Sequence, residues 1–511
     1  METNVFEGAI DKVISNATIL DNPSKEELQK LAKKDETTTE FGSAVYITKI
    51  RSRSAKFTEI IYGKPTDEQE KLISEVVEYL KGKTLVQVDR IMCLDPKHRL
   101  ACRAYVTKEY ARMALLWHEM LFPPNIKNGN LLKPDINLLF VPEWPERRIL
   151  IDPKSYTTIA LGSDYSGEMK KAGLRLGMYY AKKHGGLGLH AGCKDIFVRN
   201  KRGKLIEKGV LLFGLSATGK TTLTCHHHWL NEKKGEYVII RQDDIVFLWK
   251  DGSCTGTENN FYMKTENLDP KTEPLLYHAV TSRNALIENV KVDANGRMDF
   301  HDSSITSNGR AVVMRNELGH YYDESIDLKK VGVIIFITRR NTVVPPIAKL
   351  NAEQAAAFFM LGESIETSAG DPTQAGKSIR VVGTNPFIIG PEDEEGNRFY
   401  EFIKKDKIEC YLLNTGRFGQ KGEFKGEKIK VEDSSVLMVD AIRDDIEWIN
   451  DKFWGYLVPK KAKGIDLERF DWKRYYSDGE YAKLNEELKL ERKEWLGKFG
   501  NLNMKIRNAI K

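Results

Sequence analysis

Short apolar runs and longer amphipathic segments alternate along the 511-residue chain. Apolar runs of about four to eight residues are typical of buried strands, and apolar positions with a period of about 3.6 are typical of helices. The predicted strands span residues 44–50, 84–88, 137–142, 149–151, 157–161, 210–213, 237–240, 291–292, 311–314 and 331–337. The predicted helices lie within the first 35 residues, at 108–122, 165–183 and 352–363, and from 466 onward. Residues 390–397 combine glycine, proline and acids and favour an exposed turn.

The mixture of both element types, with no internal repeat and no low-complexity linker, predicts a mixed α/β protein of two closely packed lobes. Its clearest chemistry lies where the apolar run 210–213 leads into Gly-x-x-x-x-Gly-Lys-Thr at 214–221, before a helix-compatible segment. This is the P-loop pattern, in which backbone N–H groups and a helix N-terminus bind phosphates. The loop residues expected to contact a nucleotide are Gly214, Leu215, Ser216, Ala217, Thr218, Gly219, Lys220, Thr221 and Thr222.

Within this loop, Lys220 is expected to reach the outer phosphates and the Thr221 hydroxyl to ligate a divalent cation. A P-loop by itself indicates phosphate binding and does not define a reaction. The acidic pair Asp243-Asp244 follows the next predicted strand, which is the position of a second metal-handling carboxylate in many P-loop proteins.

Composition narrows the protein class. A net charge of +6 is small for this length, and no long Lys/Arg block is present, so a nucleic-acid partner is not expected. Six cysteines without a C-x-x-C pair favour reduced thiols. No basic and apolar leader is evident at the N-terminus, and the best apolar run, 331–337, is too short to span a bilayer. We therefore expect a cytoplasmic enzyme without a membrane partner, as a monomer or small homo-oligomer.

Further motifs surround the P-loop from about residue 45 to the C-terminal helices. Residues 165–171 read Tyr-Ser-Gly-Glu-Met-Lys-Lys, and His190 lies between this motif and the P-loop. The remaining motifs are 53–56, 262–265 with Glu273-Pro274, 308–310, 345–355 and 414–416. In order and register these motifs resemble those of the ATP-type phosphoenolpyruvate carboxykinases, and the resemblance covers nearly the whole chain.

The resemblance implies the fold and the reaction. The fold would be the two-lobed carboxykinase fold, with an N-terminal substrate-side α/β domain at 1–188 and a C-terminal nucleotide- and metal-binding domain at 189–511. The reaction would convert oxaloacetate and ATP into phosphoenolpyruvate, ADP and carbon dioxide. Loss of carbon dioxide leaves an enolate, whose negative charge requires a cation close to the oxygen.

The resemblance also implies roles for individual residues. Mn²⁺ would be held by Lys171, His190 and Asp244, and Mg²⁺ at Thr221. The carboxylates of the acid would be bound by Arg53 and Arg310, with Tyr165 lining the same pocket. The catalytic set would be Arg53, Lys171, Lys220, Asp243 and Arg310. The nucleotide would also be contacted by Lys264, Glu273, Lys428, Ile429 and Ser434.

Several positions depart from the family pattern. Asn259-Asn260 replaces a glycine pair and could add donors near substrate, and residues 369–377 fit the mobile lid of the family poorly. Lys428 replaces an arginine on the adenine side, which removes the planar guanidinium. Ala217 replaces a glycine in the P-loop, and Ser434 replaces a threonine. The choice among ATP, GTP and pyrophosphate, and the identity of the acid, therefore stay open.

Two other hypotheses follow from these departures. One is a kinase on the same scaffold that phosphorylates a different small acid without releasing carbon dioxide. The other is a nucleotide-sensing protein without catalysis. Residues 226–228 are three consecutive histidines, and on a helix they would point about 100° apart and could not converge on one metal ion. Cys193 has no neighbouring base that would make it a nucleophile.

Overall fold

The computed structural model describes residues 4–50, 55–124, 133–215, 218–365 and 377–511. Packing divides the chain into two compact units. The first unit comprises Met1–His184 and Thr257–Leu318, and the second comprises Gly185–Gly256 and Gly319–Lys511. The predicted boundary at residue 188, between a substrate-side domain and a nucleotide- and metal-binding domain, stays a prediction.

Helices lie in or close to each segment predicted as helical, whereas those at 67–80, 274–280, 392–406 and 431–443 were not predicted. The α-helices are α1 (Val5–Asn16), α2 (Lys25–Ala32), α3 (Asp67–Leu80), α4 (Ala111–Met120), α5 (Ser166–Lys183), α6 (Lys220–Thr224), α7 (Pro274–Val280), α8 (Ala352–Leu361), α9 (Glu392–Asp406), α10 (Val431–Arg443), α11 (Asp478–Gly497) and α12 (Met504–Arg507). Shorter 3-10 helices cover Lys33–Asp35, Ala55–Phe57, Lys108–Tyr110, Glu232–Lys234, Arg315–Tyr321, Val382–Thr384, Leu467–Phe470 and Trp472–Arg474.

Strands lie in the predicted apolar runs, and further strands that were not predicted include the long ones at 100–107 and 187–199. They are β1 (Thr18–Asp21), β2 (Glu36–Thr38), β3 (Ala44–Tyr46), β4 (Thr58–Ile60), β5 (Thr84–Met92), β6 (Leu100–Thr107), β7 (Ile136–Val141), β8 (Arg148–Asp152), β9 (Thr157–Leu161), β10 (Leu187–Arg199), β11 (Leu205–Phe213), β12 (Tyr237–Gln242), β13 (Ile245–Leu248), β14 (Cys254–Gly256), β15 (Phe261–Lys264), β16 (Leu286–Glu288), β17 (Lys291–Val292), β18 (Met298–Asp299), β19 (Arg310–Val313), β20 (Val331–Thr338), β21 (Ile347–Leu350), β22 (Glu363–Ile365), β23 (Ser378–Arg380), β24 (Glu409–Asn414), β25 (Arg417–Phe418), β26 (Glu427–Lys428), β27 (Glu447–Asn450) and β28 (Leu457–Lys461).

The first unit is built on two larger sheets. A seven-stranded sheet has the order β1-β5-β6-β7-β9-β8-β4, and a five-stranded sheet has the order β15-β19-β16-β3-β2. Apolar side chains of α1 and α3 pack with those of the seven-stranded sheet in one core cluster. This arrangement places β15 and β19, which carry Lys264 and Arg310, side by side in the smaller sheet.

The second unit is built on a ten-stranded sheet in the order β14-β13-β10-β11-β20-β24-β21-β28-β27, with β12 also paired to β10. Strands β11, β20 and β24 are parallel neighbours, so the loops after them leave the sheet at the same edge. Ligands of parallel sheets bind at this carboxyl edge. Strands β10 and β11 form a hairpin whose tip lies between Arg199 and Leu205.

One prediction is wrong: residues 390–397 do not form an exposed acidic turn. They enter α9, which begins at Glu392 directly after Pro391. Four acids occupy the first turn of this helix, where negative charge is favourable against the helix dipole. Asp393 and Glu395 are buried. The acidic residues that suggested a solvent-exposed turn therefore form the first turn of a helix.

All six cysteines are buried with free thiols. Within the described ranges, the structure has no helix of the length and apolar character that a membrane crossing requires.

A buried ionic cluster joins the C-terminal helix α11 to the strand pair β22–β23 in the second unit. Glu363 on β22 accepts hydrogen bonds from Arg340 (3.1 Å), Arg380 (2.7 Å) and Arg492 of α11 (3.0 Å). Burial alone would raise the pKa of Glu363, but the guanidinium groups hold it well below its usual range. Glu491 adds a second carboxylate, 2.7 Å from Arg380. The cluster therefore depends on Glu363 to balance buried positive charge.

We predict that Glu363→Gln lowers the free energy of unfolding by about 3–5 kcal/mol, because it leaves buried guanidinium groups without their main counter-charge. Urea unfolding, followed by circular dichroism, measures the change. The matched control is Glu447→Gln, which removes one partner of an exposed pair with Lys460 and should change stability little. Equal effects of the two substitutions would contradict a central role for Glu363.

Candidate active site

The P-loop follows β11 at the carboxyl edge of the sheet. Gly219 has φ of 96°, in the left-handed region that favours glycine, and α6 begins directly after it. A Cβ on Gly214 would lie 2.5 Å from the Thr218 hydroxyl, so this tight turn also requires glycine. Thr218 Oγ1 donates to Leu215 O at 2.8 Å and closes the loop. Ser216 and Ala217 lie outside the described residues.

Strand pairing brings His190 and Asp244 together. His190 on β10 pairs with Ile245, the first residue of β13, while the following part of β10 pairs with β12. Residues 243–244 connect β12 to β13 and therefore lie directly beside His190. Asp243 is buried in this turn.

Three predicted site residues converge at this point. His190 Nε2 lies 2.9 Å from Asp244 Oδ1. Lys220 Nζ lies 3.2 Å from the same carboxylate oxygen and 3.1 Å from His190 Nε2. The P-loop lysine and two of the three residues expected to bind Mn²⁺, His190 and Asp244, thus share one location.

The histidine is oriented by a backbone carbonyl. His190 Nδ1 lies 2.5 Å from Thr384 O, which assigns a proton to Nδ1, while Nε2 faces Asp244 and Lys220. A metal-ligating histidine has this arrangement, in which the second nitrogen donates to a carbonyl. His190 and Asp244 therefore fit a divalent cation that accepts nitrogen and oxygen ligands. The parts of the chain that the structure describes contain no cluster of three or more His, Cys, Asp or Glu suited to a metal ion.

The predicted adenine-side residues lie around β26 and the start of α10. Lys428 is exposed on β26, whereas Ile429 is buried against Phe418 and Phe470. Ser434 lies in the first turn of α10, and its hydroxyl is buried with no hydrogen-bond partner among the described residues. A buried hydroxyl without a partner is costly in a folded protein, and it fits contact with a polar group of a ligand. Thr221 and Thr222 lie in the first turn of α6, directly after the loop.

In the first unit, the structure connects two predicted acid-binding residues through a third side chain. Asn308 Nδ2 donates to Tyr165 Oη at 3.2 Å, and Arg310 Nη2 donates to Asn308 Oδ1 at 2.9 Å. The Arg310 guanidinium also lies 5.7 Å from the centroid of the Tyr262 ring. Asn308 was not predicted as a site residue, although it belongs to the 308–310 motif. It orients both a hydroxyl and a guanidinium.

Lys171 lies in the second turn of α5, half-buried. The preceding residue, Lys170, is buried and forms an ion pair of 2.9 Å with Glu258. Adjacent lysines thus have different environments: Lys170 stabilises the first unit, and Lys171 stays the predicted ligand.

Lys264 and Arg310 are paired residues of β15 and β19. Lys264 Nζ lies 2.5 Å from Glu266, which balances its charge without ligand. Glu273 is the N-terminal capping residue of α7. The predicted nucleotide contacts of Lys264 and Glu273 stay predictions.

Arg53 lies outside the described residues, but the chain that leads to it is firmly anchored. Asp164 accepts hydrogen bonds from the backbone N–H groups of Lys49 (2.9 Å) and Ile50 (2.8 Å). Arg112 balances this carboxylate at 2.7 Å. Asp164 directly precedes Tyr165, so it links the Arg53 segment to the 165–171 motif. Sequence reasoning missed Asp164 and Arg112, because the contact joins residues more than a hundred positions apart.

Asn260, one of the two asparagines that replace a glycine pair of the family, forms hydrogen bonds within the first unit. Its Nδ2 donates to Glu119 O at 2.7 Å, and its Oδ1 accepts from Arg315 N at 2.9 Å. Both ends of the amide therefore bind main chain, and Asn260 stabilises the fold rather than offering donors to a substrate. The departure at the predicted lid, 369–377, falls almost wholly outside the described residues.

Residues 226–228 do not occupy helical positions as predicted, because α6 ends at Thr224. Beyond it, Lys194 of β10 lies beneath the end of the helix. Its Nζ donates to Leu223 O (2.5 Å) and His226 O (3.2 Å) and contacts His228 Nε2. His228 Nδ1 in turn lies 2.9 Å from the hydroxyl of Ser435 on α10. The histidines thus connect the P-loop helix to α10.

The hydrogen bonds of this network suit a neutral amine on Lys194 and neutral histidine rings. Burial lowers the pKa of Lys194 to about 7 and that of His226 to about 3. A neutral lysine amine has two N–H donors for the two carbonyls and one lone pair for the N–H of His228. Every hydrogen-bonding position of the amine is then used.

We predict that Lys194→Met changes how stability depends on pH. Because the pKa of Lys194 is about 7 in the fold and about 10.4 in unfolded chains, the unfolded state binds the extra proton between these values. The free energy of unfolding of the wild type, relative to the variant, should therefore rise from pH 7 to 10, by up to about 1.4 kcal/mol per unit. Urea unfolding across this range measures it.

The control for this experiment is Lys233→Met, which replaces an exposed lysine of the same unit. Its stability profile should run parallel to that of the wild type. A parallel profile for Lys194→Met as well would mean that Lys194 stays charged in the folded protein.

Comparison with known proteins agrees with this geometry. The family model described as phosphoenolpyruvate carboxykinase matches residues 17–468. A phosphoenolpyruvate carboxykinase (ATP) of Aeropyrum pernix is 35% identical over 501 residues, which cover 96% of this chain and 97% of the relative. Enzymes of the same name from Caldanaerobacter subterraneus and Dictyostelium discoideum are 26% and 28% identical, covering 86% and 77% of this chain and 84% and 69% of those relatives.

The family match spans most of the chain and includes both units, and the A. pernix relative aligns along nearly its full length. The chain therefore belongs to the phosphoenolpyruvate carboxykinase family.

Proposed function

We propose that this protein is an ATP-dependent phosphoenolpyruvate carboxykinase that converts oxaloacetate and ATP into phosphoenolpyruvate, ADP and carbon dioxide. The observation that carries the proposal is the convergence of His190, Asp244 and Lys220 directly beside the P-loop. A decarboxylation coupled to phosphoryl transfer needs positive charge close to both the enolate oxygen and the transferred phosphoryl group. Lys220 would supply one such charge, and a divalent cation held by His190 and Asp244 would supply the other.

Binding of the acid is assigned to the first unit. Arg310 suits planar, two-point contact with a carboxylate, and its hydrogen bond to Asn308 holds the guanidinium in one orientation. Tyr165 Oη is held by the same asparagine. Arg53 is proposed as the second carboxylate-binding residue, on the chain segment anchored by Asp164. Arg53 and Tyr165 fall in the proposed substrate-side domain at 1–188, whereas Arg310 lies outside that range but in the same packing unit.

Phosphoryl transfer is assigned to the second unit, with Lys264 of the first as a proposed additional cation. The loop from Gly214 to Thr222 would bind the phosphates through its N–H groups. Lys220 would move from the Asp244 carboxylate to the outer phosphates when a nucleotide binds, since one ammonium group can satisfy either partner. Asp243 stays a proposed catalytic carboxylate, and Thr221 a proposed cation ligand.

We propose Mn²⁺ at His190 and Asp244, with Lys171 as a predicted further ligand, and Mg²⁺ at Thr221. A divalent cation at the first position would supply a charge that stabilises the enolate oxygen. The residues of the chain orient that position: Thr384 O fixes the imidazole, and strand pairing fixes the carboxylate. The buried Ser434 hydroxyl is proposed to contact the nucleotide, with Lys428 and Ile429 nearby and Glu273 at the ribose.

The reaction itself is tested with purified protein, oxaloacetate, Mn²⁺, Mg²⁺ and either ATP, GTP or pyrophosphate. We predict equal amounts of phosphoenolpyruvate and carbon dioxide with ATP as the donor. Nucleotide binding without either product would contradict the proposal and favour a kinase for a different acid. Products with GTP or pyrophosphate alone would keep the reaction and change the donor.

A second prediction concerns the P-loop lysine. Lys220→Met should lower kcat by about a hundredfold or more, because it removes the side chain that neutralises the transferred phosphoryl group. Lys233→Met, an exposed lysine of the same unit, serves as the control and should keep wild-type activity. Full activity in a folded Lys220→Met variant would show that the loop does not serve phosphoryl transfer.

A further inference from the structure

A second group of cations lies beside the P-loop and was not among the residues that the motifs identified. Strands β11, β20 and β24 are parallel neighbours, and their loops leave the same edge of the sheet. The first loop is the P-loop. The second begins with Arg339, directly after β20, and the third contains Arg417, just after β24. Both arginines thus come from the loops next to the phosphate-binding loop.

Hydrogen bonds hold these three loops together. Thr415 Oγ1 donates to Thr218 O of the P-loop at 2.7 Å and to Thr338 O at 3.2 Å. Its own N–H donates to the same Thr338 carbonyl at 2.9 Å. Arg339 is the residue after Thr338, and Arg417 lies two residues beyond Thr415. The backbone of both arginines is therefore fixed close to Thr218.

Arg339 and Arg340 are neighbours in sequence but differ in their partners. Arg340 is buried and is balanced by the carboxylates of Glu363 and Glu491. Arg339 is half-buried, and among the described residues no carboxylate lies within ion-pair distance of it. Burial, together with repulsion from Arg417, lowers the pKa of the Arg339 guanidinium.

Such an arrangement is unfavourable in the protein alone. A partly buried cation loses hydration, and a neighbouring cation adds repulsion. Nothing within the described part of the fold compensates for this at Arg339, whereas three buried arginines close by are compensated at Glu363. An anion that binds beside both guanidinium groups would compensate for it.

We propose that Arg339 and Arg417 form an anion subsite beside the P-loop, which binds the phosphate chain of the nucleotide. This inference rests on the proposed function, because the P-loop must first hold that chain. Arginine suits the role, since its planar fork makes two hydrogen bonds to a phosphate group. Arg417 is pre-oriented by a hydrogen bond from Nη1 to Gly426 O at 2.9 Å. Its β-strand partner is Lys428, which adds a third cation to the same loops.

The test compares wild-type protein with Arg339→Gln, Arg339→Lys and the control Arg202→Gln. Arg202 is an exposed residue of the same unit at the tip of the β10–β11 hairpin. Isothermal titration calorimetry measures binding of ATP, of inorganic pyrophosphate and of adenosine. Thermal unfolding of each protein without ligand measures stability.

Arg339→Gln should weaken binding of ATP and pyrophosphate about tenfold or more, the effect of losing hydrogen bonds to a charged group. Adenosine binding should stay the same, because adenosine carries no phosphate. Arg339→Lys should recover part of the affinity by restoring the charge. The unfolding temperature of unliganded Arg339→Gln should equal or exceed that of the wild type, since an uncompensated charge has been removed.

Affinities of Arg339→Gln for ATP and pyrophosphate within twofold of the wild type would overturn the subsite. A loss of stability with equal weakening of adenosine and pyrophosphate binding would also overturn it, because that result indicates a structural role. Failure of the wild type itself to bind ATP or pyrophosphate is a different outcome. It would contradict the proposed function and, with it, the inference that rests on it.

Discussion

The second unit depends on the polar connections between the ends of three parallel strands. Thr415 binds the P-loop carbonyl of Thr218 and the carbonyl of Thr338, which follow β11 and end β20. Asn414, fully buried, accepts from the N–H groups of Arg340 and Gly416 through one amide oxygen. These contacts satisfy backbone groups that the sheet leaves unpaired where its strands end. Because of them, Thr218 of the P-loop is held in place before any ligand arrives, which would reduce the entropy lost if a phosphate binds there.

Charge in this unit is balanced in some places and left unbalanced in others. Glu363 neutralises a group of buried arginines and ties α11 to β22–β23, so the charge stabilises the fold. Burial lowers the pKa of Lys194 to about 7 and so favours its neutral amine over the ammonium group. Lys220, His190 and Asp244 instead contact one another in a single cluster, and we propose that a ligand replaces some of these contacts. Charged groups that exchange a protein partner for a ligand are typical of a binding site. Charged groups that are fully balanced within the protein are typical of its core.

The sequence predicted the elements whose signals are local. Helices α1 and α2 lie within the first 35 residues, β9 spans 157–161 as the apolar run indicated, and the P-loop follows β11. Predictions were wrong where a local pattern had two meanings. The acids before residue 397 suit a turn or the first turn of a helix, and only packing distinguishes them. At the end of α6, the Leu223 carbonyl accepts a hydrogen bond from Lys194, which lies 29 positions before Leu223 in the chain. Periodicity cannot reveal such a contact.

The same distinction applies to the candidate site. Motifs identified His190, Asp244 and Lys220 because the chemistry requires those side chains, and register then placed them together. Backbone and side-chain contacts orient the predicted site residues: Thr384 O holds His190, Asn308 holds Tyr165 and Arg310, and Asp164 holds the backbone of Lys49 and Ile50 ahead of Arg53. Thr384 and Asp164 lie outside the motifs, because a carbonyl or a carboxylate for such a contact could come from many positions, whereas Asn308 lies inside the 308–310 motif. The sequence therefore indicates which side chains to test as reacting groups, and the three-dimensional structure shows the groups that hold them in place.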